Sequence, residues 1–251
     1  MDERFALNPD VSATAVALLT LRPREGVSKN DPVGPRHAGS NAYLVNPADY
    51  NKRFPKKAIK EYEKGLDADR TNKRDEAIGH YEAALKIAPD FYPAHNNLGS
   101  DYLSKSDFAG ARKEFEEAIR LNQNAAAAYF NLSNVCLLTD QLPDAQKFLA
   151  EGTRRQPNSA LRYFLLGSLD MRGGKLQEAE SSLRHAIQLN PAMAQPRLQL
   201  VNLLLQQGRK TDAAAQLHEF VNAFPGDPSS AHARQLLQRL QQDTKSRVAP
   251  N

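Results

Sequence analysis

Five alanines stand at one spacing: Ala77, Ala111, Ala145, Ala179 and Ala213, each 34 residues from the next. A constant step of this length marks a supersecondary unit used repeatedly, each copy covering the apolar face of its neighbour. Other columns keep the step. Four residues after each alanine comes a bulky apolar residue: Tyr81, Phe115, Leu149, Leu183 or Leu217. Five before it stands a residue that favours or tolerates a turn: Asn72, Ser106, Asp140, Gly174 or Gly208. Twelve after it come Pro89, Gln123, Pro157, Pro191 and Pro225, and upstream lie Leu98, Leu132, Leu166 and Leu200.

The columns describe a helix, a short turn and a second helix. Small residues (Gly99, Ser133 and Gly167, with the alanine column) let the two helices approach closely, and the bulky column fills the space beside them. The spacing predicts a helix near Tyr92–Lys105, a turn at Ser106–Asp107, and a helix over Phe108–Leu121 with Asp107 as its N-cap. Pro143 opens a second helix, where its missing N–H costs nothing. A closing proline ends each unit because it cannot continue the helix.

These columns resemble the tetratricopeptide repeat (TPR) family, whose unit is 34 residues. The units register as 58–91, 92–125, 126–159, 160–193 and 194–227. Departures are local: Gln123 replaces a proline, Gly152 and Phe220 an alanine, Val201 a small residue, and Lys64 an apolar one. The resemblance implies an all-α fold, a right-handed α-α superhelix (TPR solenoid) of about five helix-turn-helix repeats plus a C-terminal capping helix. It implies a scaffold that binds a peptide or protein partner in a concave groove lined by the first helices. In that register the expected peptide-binding groove is Asn96, Asn97, Ser100, Phe130, Asn131, Asn134, Leu137, Leu138, Phe164, Ser168, Met171 and Arg172. Its centre is apolar and aromatic, flanked by the asparagines, which either grip a peptide backbone or bridge neighbouring helices. The Lys/Arg carboxylate clamp of chaperone-tail binders is not expected. The positions that would carry it hold Ile59, Pro93, Ala127, Leu161 and Gln195, and Tyr62, Asn96, Phe130, Phe164 and Leu198.

Beyond the last unit, Ala233, Leu236, Leu237 and Leu240 share one face of a helix expected over 228–243, with Arg234, Gln235, Gln238, Arg239 and Gln242 on the others. Such a one-sided helix caps a stack. Residues 244–251 read as a disordered tail. Residues 1–57 are rich in Pro, Gly, Asn and Ser and read as a mostly irregular arm. Thr14, Val16, Leu18 and Thr20 alternate with Ala13, Ala15, Ala17 and Leu19, so a single strand is expected at 12–21. The sharper alternative makes this strand the remnant of a missing upstream β-domain, similar to the closing strand of carboxypeptidase-regulatory-type immunoglobulin-like domains. The chain is then the TPR segment of a larger exported or enzymatic protein. A third reading is a self-assembling structural module; a monomer or weak self-association is expected.

Charge narrows the partners. Formal net charge is +4, of which residues 1–57 carry +3, so the repeat region is near neutral and unsuited to phosphate backbones. No nucleic-acid partner is expected. Cys136 is the single cysteine, which excludes an intramolecular disulfide and a Cys-based zinc site. No run reaches the ~18 apolar residues of a membrane span. Asp2, Glu3 and Asp10 precede the mildly apolar Val11–Leu21, the wrong charge for a secretory signal. The compartment is left open, with the cytoplasm as default and export if the N-terminus is truncated. No histidine pair has metal-ligand spacing, and Gly173–Gly174–Lys175 lacks a phosphate-loop frame. No metal, cofactor or catalytic residue is expected, and the chain reads as no enzyme.

Overall fold

The computed structural model describes residues 53–248 other than 72 and 228, with side chains to residue 242. The described residues are all-α: eleven helices and no strand. In chain order these are α1 (Lys56–Arg70), α2 (Arg74–Ile87), α3 (Tyr92–Ser104), α4 (Phe108–Leu121), α5 (Ala126–Leu138), α6 (Leu142–Arg155), α7 (Ala160–Arg172), α8 (Leu176–Leu189), α9 (Ala194–Gln206), α10 (Lys210–Ala223) and α11 (Ser230–Val248). They fall into two compact units, residues 53–158 and 159–248. In the first, α1 pairs with α2, α3 with α4 and α5 with α6; in the second, α7 pairs with α8, α9 with α10, and α11 lies on α10.

The alanine column is the seam of every pair. Ala77, Ala111, Ala145, Ala179 and Ala213 are all fully buried. A Cβ placed on Gly99 would stand 2.8 Å from the Phe115 ring and 3.2 Å from the Ala111 carbonyl. The same column carries Ser133 one unit on, and there the hydroxyl donates to the Ala145 carbonyl at 2.8 Å. The serine is tolerated because it converts that close approach into a hydrogen bond.

The turn column is left-handed where it is described. Ser106 (φ 62°), Asp140 (φ 58°), Gly174 (φ 73°) and Gly208 (φ 73°) each reverse the chain between paired helices. Glycine enters this region freely; serine and aspartate do so at a cost. Asp107 then caps α4, its Oδ1 accepting the Gly110 N–H at 2.9 Å.

The two ends are sealed differently. Phe54 packs its ring 4.5 Å from Phe91, which also stands 4.9 Å from Tyr62. This aromatic cluster packs the start of the first unit, and Phe54, within the stretch read above as arm, is buried in it. At the other end Ala233, Leu236 and Leu240 are buried. Helix α11 runs to Val248, past Asp243 and into the stretch read above as a tail. The reason is local: no Gly or Pro interrupts 230–248, and the next breaker is Pro250. The strand expected at 12–21, and the arm before residue 53, lie outside the described residues.

Candidate functional site

One column of the first helices is polar in four successive units: Ser100 on α3, Asn134 on α5, Ser168 on α7 and Asn202 on α9. The serines satisfy themselves. Ser100 Oγ donates to the Asn96 carbonyl at 3.0 Å. Ser168 Oγ lies 2.9 Å from both the Phe164 carbonyl and Gln199 Oε1, which ties α7 to α9. The asparagines do not. Asn134 Nδ2 is buried and has no hydrogen-bond partner among the described residues, and neither has Asn202 Oδ1. An asparagine carries its donors and acceptor one bond farther from the backbone than a serine hydroxyl, so its amide can reach beyond its own helix.

Beside Asn134 runs a buried amide chain. Asn131 Nδ2 donates to Asn96 Oδ1 at 3.1 Å, Asn96 Nδ2 to Asn97 Oδ1 at 3.3 Å, and Asn97 Nδ2 to the Tyr62 hydroxyl at 3.1 Å. The chain ties α5 to α3 and α3 to α1. Asn131 and Asn97 therefore spend a donor on bridging first helices, and Asn96 spends one on Asn97 within α3. Of the asparagines expected to flank a groove, Asn134 keeps an unpaired donor.

The aromatic centre expected for the groove is placed differently. Phe130 is fully buried, and a Cβ on Gly152 would stand 2.6 Å from its ring. The ring fills the space opposite Gly152 on α6, inside the helix pair. This packing also accounts for the missing alanine at 152: the larger ring on α5 requires the smaller residue on α6. Phe130 is thus a core side chain. Phe164 on α7 is buried as well. Leu137 is buried, Leu138 and Met171 are half-buried, and Arg172 is exposed. Asn96 to Leu138 belong to the first unit and Phe164 to Arg172 to the second.

A sequence model of the tetratricopeptide repeat matches residues 102–166 and 171–240, more than half of the chain. The chain belongs to the tetratricopeptide repeat family. TTC0263, a thermophilic TPR protein of Thermus thermophilus, is 22% identical and superposes with a TM-score of 0.65 over 72% of this chain and 99% of its own. The pilF protein of Pseudomonas aeruginosa is 18% identical, with a TM-score of 0.59 over 76% of this chain and 86% of its own. MamA from Desulfovibrio magneticus RS-1 is 18% identical, with a TM-score of 0.51 over 70% and 99%. These likenesses show the fold, an all-α helical repeat of the TPR solenoid class. No curated protein matches this chain. As a TPR, the chain carries a protein–protein interaction module of a kind that is typically non-catalytic.

The titratable groups of this TPR serve packing. Burial pushes the Tyr81 phenol far up, and the Asp69 carboxylate, which accepts a hydrogen bond from its hydroxyl at 2.6 Å, adds to the shift. Burial lowers His95, but hydrogen bonds to Glu114 at 2.7 Å and the Pro89 carbonyl at 3.0 Å outweigh it and hold the ring above its ordinary value. Both ring nitrogens face acceptors, an arrangement only the imidazolium satisfies fully. Burial raises the Cys136 thiol despite Arg112 Nη2 at 3.2 Å, so it packs as a small apolar group. Among the described residues no cluster of His, Cys, Asp and Glu could hold a metal, and no helix is long and apolar enough to cross a membrane.

Proposed function

We propose that this TPR protein is a scaffold that grips an extended, apolar peptide or protein segment on the first-helix face of residues 53–158. One observation carries the reading: the Asn134 side-chain donor is buried without a partner. An unpaired buried amide donor costs about 1–3 kcal/mol. A peptide carbonyl would remove that cost. The bridging chain Asn131–Asn96–Asn97–Tyr62 ties α5, α3 and α1 together, so the donor sits in a rigid framework. Leu137, buried, and Leu138, half-buried, lie three and four residues on along the same apolar stripe. An extended segment would offer one carbonyl to the asparagine and alternate side chains to the leucines.

The test is selection of peptides from a random display library, followed by fluorescence anisotropy. Selected peptides should carry apolar residues at alternate positions. Asn134→Ala should weaken them about tenfold, the worth of one good hydrogen bond. Asn190→Ala, beyond α8, should leave them unchanged. Equal binding to wild type and Asn134→Ala would remove this face from consideration.

A further inference from the structure

The residues that close each helix pair also offer a backbone carbonyl, and three of these carbonyls meet basic side chains. Pro89, Gln123 and Pro225 belong to one column at the 34-residue step. The Gln123 carbonyl accepts from Arg155 Nε at the end of α6, and the Pro225 carbonyl accepts from Arg234 Nη2 of α11 at 3.1 Å. The Pro89 carbonyl faces His95 Nε2 of α3 at 3.0 Å. Each of these connectors is thus clasped by a basic group. Two of the groups are guanidinium ions, which do not titrate in proteins; the third is an imidazole, which does.

We infer that the α2–α3 connector is a pH-sensitive joint, clasped while His95 is an imidazolium and released when the ring is neutral. The second ring nitrogen decides which bond is lost. Nδ1 stands 2.7 Å from Glu114 Oε2 on α4, and both side chains are only 13% exposed, so water competes little for the pair. An imidazolium donates to both acceptors. A neutral ring keeps one N–H, and the carboxylate is the stronger acceptor, so that proton stays on Nδ1. The Nε2 lone pair then stands against the Pro89 carbonyl oxygen, acceptor against acceptor, and the connector is let go.

The surroundings set the sign. Glu114 and Glu117 act on the ring from α4, and Arg120 Nε is turned onto Glu117 at 2.8 Å. On the connector side Lys86 and Asp90 are exposed, where solvent and salt screen them. Burial opposes the charge, but the bonds to Glu114 and Pro89 outweigh it and hold the ring above its ordinary value. The clasp is therefore complete below the unfolded value of about 6.5 and is lost as pH rises through the folded value. The connector carries Phe91, whose ring packs on Tyr62 of α1 and on Phe54. The bond from Asn97 of α3 to the Tyr62 hydroxyl spans the same joint. Release thus loosens the α1–α2 pair from α3. The joint needs no ligand and stands apart from the peptide-binding reading.

Amide hydrogen exchange of the full chain, followed by NMR from pH 5.5 to pH 8 with each rate divided by its intrinsic rate, reads the joint directly. Two connectors provide matched probes. The Phe91 and Tyr92 N–H groups bond the Ala88 and Asp90 carbonyls at 3.1 and 2.9 Å, and one step on the Ala125 and Ala126 N–H groups bond the Asn122 and Asn124 carbonyls at 3.0 and 2.8 Å. Protection of Phe91 and Tyr92 should fall about tenfold across that range, the worth of one charge-assisted bond. Ala125 and Ala126, in the connector clasped by Arg155, should hold steady. His95→Gln should leave Phe91 weakly protected at both ends of the range, and His95→Arg should leave it well protected at both. Arginine already occupies this column at Arg197, where it bonds Glu219 at 2.6 Å. Circular dichroism checks the folding of each variant, and the wild-type comparison of the two connectors decides the matter even where a variant unfolds. An equal pH response at the two connectors overturns the joint, as does a wild-type response that survives in His95→Gln.

Discussion

Asn134 and Phe130 lie four residues apart on one helix, and the fold gives them opposite tasks. Phe130 fills the space left by Gly152, whereas Asn134 keeps a donor unpaired. Phe130→Ala therefore acts on stability: it empties a ring-sized space and should cost about 3–5 kcal/mol in urea unfolding. Adding Gly152→Ala should recover part of that loss, because the new methyl fills the gap and removes a mid-helix glycine worth about 1 kcal/mol. Simple additivity of the two substitutions would contradict the packing. The sequence shows both residues but not their pairing. Position 130 sits at the edge between groove and core, and its counterpart lies 22 residues away on the other helix of the pair. The free donor of Asn134 was equally hidden, since Asn97, Asn131 and Asn134 look alike in sequence and only hydrogen-bond geometry separates bridging amides from an open one.

At the scale of the element, the repeat columns were legible because each has one physical cause. The alanine column is the helix-pair seam, and the turn column is left-handed at Ser106, Asp140, Gly174 and Gly208. Features arising between elements were not legible. His95 on α3 meets Glu114 on α4 and the carbonyl of Pro89 that precedes α3. Its folded pKa is raised, so its contribution to stability is full below the unfolded value near 6.5 and fades as pH rises through the folded value. His95→Gln should thus destabilise the protein more at pH 5.5 than at pH 9, by about 1 kcal/mol. Thermal melts across that range measure it, and a pH-independent difference would mean that the imidazolium is not what the pocket holds.

For the whole molecule, the TPR pattern predicts stability built from neighbour-to-neighbour contacts. Ala145→Leu should overpack the α5–α6 seam, where Ser133 already bonds the Ala145 carbonyl, and cost about 1–3 kcal/mol. Hydrogen exchange should quicken first in α5 and α6 and then in α4, the helix packed on α5. Uniform acceleration through α10 and α11 would argue for a single cooperative core instead. Function at this scale is set by what the first helices present. The repeat family makes the chain an interaction module. The proposed peptide-binding face within residues 53–158 combines a fixed amide bridge, an apolar stripe and one open donor.

That donor can be watched directly. In a 15N–1H correlation spectrum, the side-chain NH2 of Asn134, assigned through Asn134→Ala, should shift on titration with a display-selected peptide, its Nδ2 protons moving downfield as a carbonyl engages them. The bridging amides of Asn96, Asn97 and Asn131 should move little. A saturating peptide that leaves the Asn134 resonance in place while shifting signals elsewhere would contradict the account.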